Sequence, residues 1–206
     1  MPKKCTAKKE RSSQAALMCG EAFQKLAEEF IPRIGAITPG SHRAMSDELG
    51  GLVACATNLA FALELYLKGL LTQLDLPFPA THDLRHLYEG IPRSVREVIE
   101  GVYDTALPDE VRRLGRRVSI TVAKGPLEEP RWDDYRVSLA LPDVLARSRD
   151  LFQSWRYVFE FSEPEHGPYQ YHQFEYGLLR CAAEALRVEL TVRLHGAGKG
   201  RECSAS

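Results

Sequence analysis

The stretch from Gly51 to Leu74 limits the fold of this chain more than any other feature. It is apolar on nearly every side of a helix, and Glu64 and Lys68 are its only charged residues. A helix that is apolar all round is enclosed by other elements. Because these two charges interrupt the stretch and an acidic segment precedes it, we expect a buried core helix and not a membrane span.

Helical periodicity continues on the N-terminal side of this stretch. Apolar residues at three- and four-residue steps predict a helix from about residue 13, which Ser12 or Ser13 would cap and which ends near Pro32. The residues expected on its inward face are Cys19, Phe23, Leu26 and Phe30, widened by Ala16, Ala27 and Ile34.

The C-terminal side is also mostly helical in pattern. After "DLPFP", a short helix is predicted with Thr81 as its cap and with a buried face made of Leu84, Leu87, Tyr88 and Ile91. The next helix runs to about Asp104, and its inward residues are Val95, Val98, Ile99 and Val102. "LPDV" opens a helix whose apolar face carries Leu145, Leu151, Phe152, Trp155, Val158 and Phe159. A last long helix follows Tyr171, Phe174, Leu178, Cys181, Ala185, Val188 and Val192.

Residues 117–141 have a different pattern. "RRVSITV" and "YRVSLAL" each alternate for a few residues, and "AKGPLEEPRWDD" separates them. This pattern is typical of either a small β-hairpin with a long loop or extended chain.

These elements predict an all-α fold, an up-and-down bundle of about five main helices with short extra helices. A chain of 206 residues buries a sizeable core as one domain. We expect a basic flexible tail over residues 1–11, a single helical domain over 12–195 and a second flexible tail over 196–206.

Composition excludes some classes of protein. The 44% hydrophobic and 27% charged residues are those of an ordinary soluble protein, and a net charge of -1 gives no overall attraction to nucleic acid or membrane. The five cysteines have neither zinc-ligand spacing nor a disulfide pattern, so no metal and no cofactor are expected. The N-terminus lacks the apolar run of a secretory signal, so we expect a cytoplasmic protein without a membrane partner.

Polar residues near the central helix are the first candidates for a site. Glu64 and Lys68 stand at i and i+4 in the favourable orientation for an ion pair. His82, Asp83 and His86 follow at the start of the short helix. They form either a structural network with Asp83 as a cap, or an acid–base site, because imidazole titrates near neutrality.

Arginines are the second set of candidates. Arg156 stands at the edge of an apolar face, where it could pair with Glu160 one turn on, or reach Glu64 or a phosphate. "EVRRLGRR" places a basic ridge at helical spacing, which is either a solvated face or a contact for RNA phosphates; its members are Arg112, Arg113, Arg116 and Arg117.

The segments "NLAFALELYLKGLL", "THDLRHLYEGIP" and "WRYVFE" together resemble the HEPN superfamily of small helical domains. The resemblance follows helix order over roughly residues 13–195. It implies a bundle that commonly dimerises and that occurs in toxin–antitoxin, phage-defence and RNA-processing systems of bacteria. Many members are metal-independent ribonucleases with an Arg followed after four to six residues by a His.

That nuclease motif is absent, because no Arg stands at the required distance before any of the six histidines. The sequence therefore favours a non-catalytic HEPN-like module that binds a protein partner, RNA or a nucleotide. The resemblance implies a homodimer, and the expected polar cluster consists of Glu64, Lys68, His82, Asp83 and Arg156. The alternative is a metal-independent ribonuclease with a rearranged site, in which Arg156 or Arg85 stabilises the phosphate and His82 or His86 acts as the base. A third reading is a partner of a small nucleotidyltransferase, active only in a complex.

Overall fold

The computed structural model describes residues 3–31, 46–114, 118–123, 138–156 and 169–199. The regular secondary structure of this part of the chain is helical except for one pair of strands, which confirms the all-α class. The elements in chain order are α1 (Lys3–Glu28), α2 (Ser46–Gln73), α3 (Leu84–Glu89), α4 (Arg93–Leu114), β1 (Val118–Ala123), α5 (Leu141–Arg147), α6 (Leu151–Arg156), β2 (Tyr169–Phe174) and α7 (Tyr176–Lys199).

The central element is α2. It packs against α1, α3, α6 and α7, and Leu59, Leu63 and Leu67 on it are completely buried. Each buried leucine stabilises the fold by about 1.5–3 kcal/mol. Among the described residues, Gly50–Gln73 is long and apolar enough to pass for a membrane span, but most of this segment is buried inside the bundle. The prediction of an enclosed core helix is therefore confirmed.

The first helix differs from its prediction in both start and face. It begins at Lys3, so residues 3–11 of the expected tail are helical and Ser13 lies inside the helix, not at its cap. Cys19 and Leu26 are exposed, while Ser13 and Gln24 are buried. The inward face is turned by about one residue because a buried polar pair holds it: the hydroxyl of Tyr66 donates to Oε1 of Gln24 at 2.9 Å.

Close contacts between helices also fix this orientation of α1. At Gly20 an added Cβ would stand 2.4 Å from Cε1 of Tyr66. At Gly69 it would stand 2.8 Å from Cδ2 of Leu190 and 3.1 Å from Cβ of Ala16. Both glycines let α2 approach its neighbours more closely than any other residue would permit.

Ion pairs join α1 to α7. Nε of Arg180 donates to Oε1 of Glu28 at 3.0 Å. The Nη1 atom of Arg187 donates to Oε1 of Glu21 at 3.3 Å, and its Nη2 atom donates to Oε1 of Glu184 at 2.6 Å. Arg187 lowers the pKa of Glu184, chiefly through this hydrogen bond.

The short helix α3 has the predicted buried face. Leu84, Leu87 and Tyr88 are buried, and so is Ile91 just beyond the helix. Its N-cap is Asp83, whose Oδ1 accepts from the backbone N–H of His86 at 2.9 Å. Thr81 is not the cap as predicted; its hydroxyl accepts from the backbone N–H of Asp83.

Of the four residues predicted on the inward face of α4, three pack as expected and one does not. Val95 and Ile99 are buried and Val102 is partly buried against the core, but Val98 is 50% exposed. The helix also continues past Asp104 through Pro108 to Leu114.

The helix predicted after "LPDV" is divided in two. α5 ends at Arg147 and α6 begins at Leu151, with Ser148 as the C-cap of α5. Leu145, Leu151 and Trp155 are buried as expected, whereas residues 158 and 159 lie outside the described residues.

The strands correct two predictions. β1 falls in "RRVSITV" as one alternative required, but it pairs antiparallel with β2, with Val118 opposite Phe174. The expected partner "YRVSLAL" does not form that strand: residues 138–140 are not in a strand and Leu141 begins α5, while residues 135–137 lie outside the description. Consequently residues 169–174 are extended, and the last helix begins at Tyr176.

Candidate functional site

Glu64 is the buried acid at the centre of the candidate site. It lies on α2 and is 3% exposed. Its Oε1 accepts a hydrogen bond from Nζ of Lys68 at 2.6 Å, and its Oε2 lies 2.8 Å from Nδ1 of His82. Both carboxylate oxygens have a partner, which offsets the cost of removing the charge from water.

This carboxylate orients the ring of His82. An ionised carboxylate only accepts hydrogen bonds, so Nδ1 of His82 carries the proton between them. In the neutral imidazole the lone pair is then on Nε2. The side chain of His82 is 44% exposed, and among the described residues Nε2 has no hydrogen-bond partner. The half-exposed ring therefore keeps one nitrogen without a described partner.

An aromatic column supports the other side of His82. Its ring stacks on Phe152 of α6, with centroids 4.9 Å apart and planes inclined by 24°. Phe152 also stacks on Phe61 of α2 at 5.6 Å, and Phe61 meets Phe23 of α1 edge-on at 4.6 Å. The imidazole is thus held between a buried carboxylate and rings from three helices.

The guanidinium of Arg156 shares the Phe152 ring with His82. Its Cζ lies 5.6 Å from the ring centroid, in the range of a cation–π contact. Arg156 is exposed at the end of α6. An imidazole and a guanidinium therefore stand beside one aromatic ring.

Lys68 extends the site towards the turn after α2. Its Nζ lies 5.8 Å from the ring centroid of Phe78, which is 42% exposed. We call the set that consists of Glu64, Lys68, Phe78, His82, Phe152 and Arg156 the Glu64 site. The site thus combines basic and aromatic side chains around one buried acid.

The structure brings together most of the predicted cluster. Glu64, Lys68 and His82 are in direct contact, while Asp83 serves as the cap of α3. The described partners of Glu64 are Lys68 and His82, and Arg156, for which Glu64 was one alternative partner, is not among them.

The second predicted histidine does not join the site. The side chain of His86 is exposed on α3, and its backbone N–H bonds to Asp83. Arg85 beside it is exposed and pairs with Glu89 at 2.7 Å. A site that uses His86 beside His82 is therefore not supported by the positions of these residues.

Several predicted contacts fall outside the description. Arg112 and Arg113 are in α4, and nothing is described of their side chains. Arg116, Arg117 and Glu160 lie outside the described residues. The basic ridge and the pair between Arg156 and Glu160 stay predictions.

The sequence pattern does not identify Phe78 or Phe152 as members of the site. It places Phe152 only on an apolar face and Phe78 only in a turn. The sequence offers one signal for them, namely that both aromatics lie within a few residues of a basic residue or a loop. This arrangement is too common in proteins to identify a binding site.

Metal chemistry has no support in the donor set. In the residues that the structure describes, no group of three His, Cys, Asp or Glu side chains is placed to hold an ion. The second partner of Glu64 is an ammonium group, which occupies the position that a cation would take. The site offers cationic groups that can bind an anion, aromatic rings that can stack on a planar ligand, and an imidazole that can transfer a proton.

Comparison with known proteins adds no family assignment. No protein-family model, no curated protein and no solved structure matches the chain. What the protein does must therefore be argued from the residues of the Glu64 site.

Proposed function

We propose that this protein is a HEPN-like helical module that binds RNA or a nucleotide at the Glu64 site. The observation that carries the proposal is the shared Phe152 ring, which has His82 at 4.9 Å and Arg156 at 5.6 Å. Basic groups of this kind bind phosphate, and exposed aromatic rings such as Phe78 stack on bases. A defence, toxin–antitoxin or RNA-processing context follows only from the sequence resemblance.

Binding is tested with a fluorescent single-stranded RNA and with a labelled nucleotide, each by anisotropy at several salt concentrations. Phe78→Ala and Arg156→Ala should each weaken affinity about tenfold, because one stacked base or one charged contact contributes roughly 1–3 kcal/mol. Affinity should also fall as salt rises.

Arg85→Ala is the matched control for the loss of charge. Arg85 is exposed, pairs with Glu89 and lies outside the Glu64 site. The Arg85→Ala variant should bind both probes with the affinity of the wild type. No binding of either probe by folded wild-type protein would reject the proposal and favour a protein partner as the ligand.

A metal-independent ribonuclease is the second candidate function. It is favoured by one specific observation: a buried carboxylate contacts Nδ1 of His82, and the side chain of His82 is 44% exposed. In such an enzyme Nε2 would accept the proton of the ribose 2′-hydroxyl while Arg156 stabilises the phosphate.

An RNA-cleavage assay with and without EDTA separates the two functions. The binding proposal expects no cleavage by purified wild type. Cleavage that resists EDTA and is lost in His82→Ala and Arg156→Ala, but kept in His86→Ala, would replace it with the nuclease. His86→Ala is the matched control because this imidazole is exposed on the adjacent helix outside the site.

A further inference from the structure

His82 is the imidazole of the Glu64 site, and its protonation state decides what its second ring nitrogen can bind. Nδ1 lies 2.8 Å from Oε2 of Glu64 and carries the proton between the two groups. Nε2 is therefore an acceptor in the neutral imidazole and a donor in the imidazolium. Because an imidazole changes its charge near neutral pH, the pH of the solution selects between these two forms.

A phosphate forms a hydrogen bond with only one of these two forms. The oxygens of a phosphodiester accept hydrogen bonds and have no proton to donate at neutral pH. Beside a neutral imidazole they would place their lone pairs against the lone pair of Nε2. Beside an imidazolium they accept the proton of Nε2 in a charge-assisted hydrogen bond. A phosphate that contacts Nε2 of His82 therefore requires a second proton on the ring.

The charges around the ring link this second proton to the arrival of an anion. Nζ of Lys68 lies 2.6 Å from Oε1 of Glu64, so an ammonium group already balances the buried carboxylate. Arg156 adds a positive charge beside the Phe152 ring on which His82 stacks. A protonated His82 would be a further cation in this group. A bound phosphate supplies the opposite charge and thereby favours the imidazolium.

The other charged side chains on the segments around His82 have partners of their own. They belong to α3 and to the turn between α5 and α6, whose carbonyl at position 149 accepts a bond from the first N–H of α3. They are the cap Asp83 and the two surface pairs Arg85–Glu89 and Arg149–Asp150. Among the described residues, Glu64 is consequently the carboxylate that contacts the ring of His82.

We propose that a phosphate binds the Glu64 site together with one proton, which His82 takes up on Nε2, so that binding strengthens as pH falls. This inference rests on the proposed function, namely that the site binds RNA or a nucleotide. Glu64 is a positioning residue in it, because its bond to Nδ1 keeps Nε2 for the ligand and stabilises the imidazolium. Phe152 holds the ring by stacking at 4.9 Å.

The direction of this pH dependence separates phosphate binding from general-base catalysis at the same residue. A base that removes the proton of a ribose 2′-hydroxyl must be neutral before the reaction, so cleavage would increase as pH rises. Binding of phosphate by the imidazolium increases as pH falls. The two candidate functions therefore predict opposite responses to pH at His82.

The first test uses an oligouridine RNA that carries a rhodamine label and no terminal phosphate. Neither uracil nor a phosphodiester gains or loses a proton between about pH 5.5 and about pH 8, so a proton that accompanies binding is taken up by the protein. Fluorescence anisotropy gives the Kd across this range at constant ionic strength. The Kd of the wild type should rise at least about tenfold towards the alkaline end, because a charge-assisted hydrogen bond is lost.

His82→Asn and His86→Asn are a matched pair of variants, since each removes one exposed imidazole from the same part of the surface. Asparagine at position 82 can still donate to Glu64 through its amide group but has no Nε2. We expect little pH dependence in His82→Asn and the wild-type dependence in His86→Asn. Glu64→Gln should shift the gain in affinity to lower pH, because the imidazolium loses its anionic partner.

Isothermal titration calorimetry counts the proton on the wild-type protein without any substitution. The binding enthalpy is measured at about pH 7.5 in buffers of different ionisation enthalpy, and the slope of one against the other gives the number of protons taken up. This number should be about one for the wild type and about zero for His82→Asn.

Two results would overturn this inference and leave the proposed function standing. They are RNA binding without proton uptake, and a pH dependence in His82→Asn equal to that of the wild type. An unchanged pH dependence in Glu64→Gln would overturn the positioning role of Glu64. A folded wild-type protein that does not bind the RNA at any pH would reject the inference together with the proposed function.

Discussion

The carboxylate of Glu64 and the imidazole of His82 are in contact at 2.8 Å although they are 18 residues apart in the chain. The contact joins the middle of α2 to the turn before α3. It leaves the charge buried at one end and an accessible nitrogen at the other. The same pair therefore contributes to stability and supplies the imidazole of the proposed binding site.

We expect Glu64→Gln to lower the free energy of unfolding by about 1–2 kcal/mol. Glutamine keeps the volume but loses the charge that Lys68 and His82 both contact, and hydrogen bonds to charged groups contribute roughly 1.5–3 kcal/mol. Urea denaturation measures the difference.

Glu97→Gln is the control for removing a paired carboxylate. Glu97 pairs with Arg93 at 2.8 Å on the surface of α4, and such pairs contribute about 0–1 kcal/mol. Equal losses in the two variants would contradict a special role for burial at Glu64.

Asp83→Ala should destabilise the protein by about 0.5–2 kcal/mol, because it removes the N-cap of α3. Asp83→Asn should be close to the wild type, since an amide oxygen accepts the same bond from the N–H of His86. Thermal and urea unfolding of the three proteins measure this. A loss in Asp83→Asn as large as in Asp83→Ala would show that the charge matters more than the cap.

Gly20→Ala should lower the free energy of unfolding by about 1–3 kcal/mol. The new methyl group would overlap the ring of Tyr66, which cannot move freely because its hydroxyl bonds to Gln24. Gly101→Ala should instead stabilise the protein by about 0.5–1 kcal/mol, because nothing lies within 4 Å of the new Cβ on an exposed helix position. We therefore predict changes of opposite sign in the free energy of unfolding for the two variants, measured by urea denaturation. A Gly20→Ala variant as stable as the wild type would contradict this prediction.

Stability should fall at alkaline pH. Burial, with the charge of Glu28, raises the pKa of Cys55 from 9.0 to about 12, and burial raises the pKa of Tyr66, Tyr88 and Tyr103. The pKa of each of these groups is higher in the folded protein than in the unfolded chain. The stability that the protonated groups contribute is therefore fully present below the unfolded-state pKa and is lost as pH rises through the folded-state pKa.

The measurement is the free energy of unfolding between pH 8 and pH 12, the range in which the unfolded chain loses protons from these groups while the folded protein still holds them. Cys55→Ala should lose stability less steeply with pH than the wild type, because one of the titrating groups is gone. An unchanged slope would show that Cys55 does not titrate with folding.

The parts of the fold that the sequence predicts are those set by local spacing. The core helix α2 and the buried face of α3 follow directly from apolar periodicity. The face of α1 does not, because its inward side includes the polar residues Ser13 and Gln24, and Gln24 is buried only because Tyr66 meets it from another helix. Nothing in the local pattern of α1 contains that information.

The site divides in the same way. The pair of Glu64 and Lys68 is local and was predicted from an i and i+4 spacing. The position of His82 beside Glu64 depends on how the turn folds back onto α2, and Phe152 reaches His82 only through the docking of α6. Spacing alone therefore identified the polar members and missed the aromatic ones.

The pairing of β1 with β2 has a consequence for the order in which the protein folds. The two strands enclose residues 124–168, and α6 with Phe152 and Arg156 is within that loop. Closing a loop of this length costs entropy before its contacts form. We therefore expect α1, α2 and α3 to associate early through contacts near in sequence and α6 to dock late. A nascent or partly folded chain would then have the Glu64 carboxylate in place before Phe152 and Arg156 complete the proposed binding site.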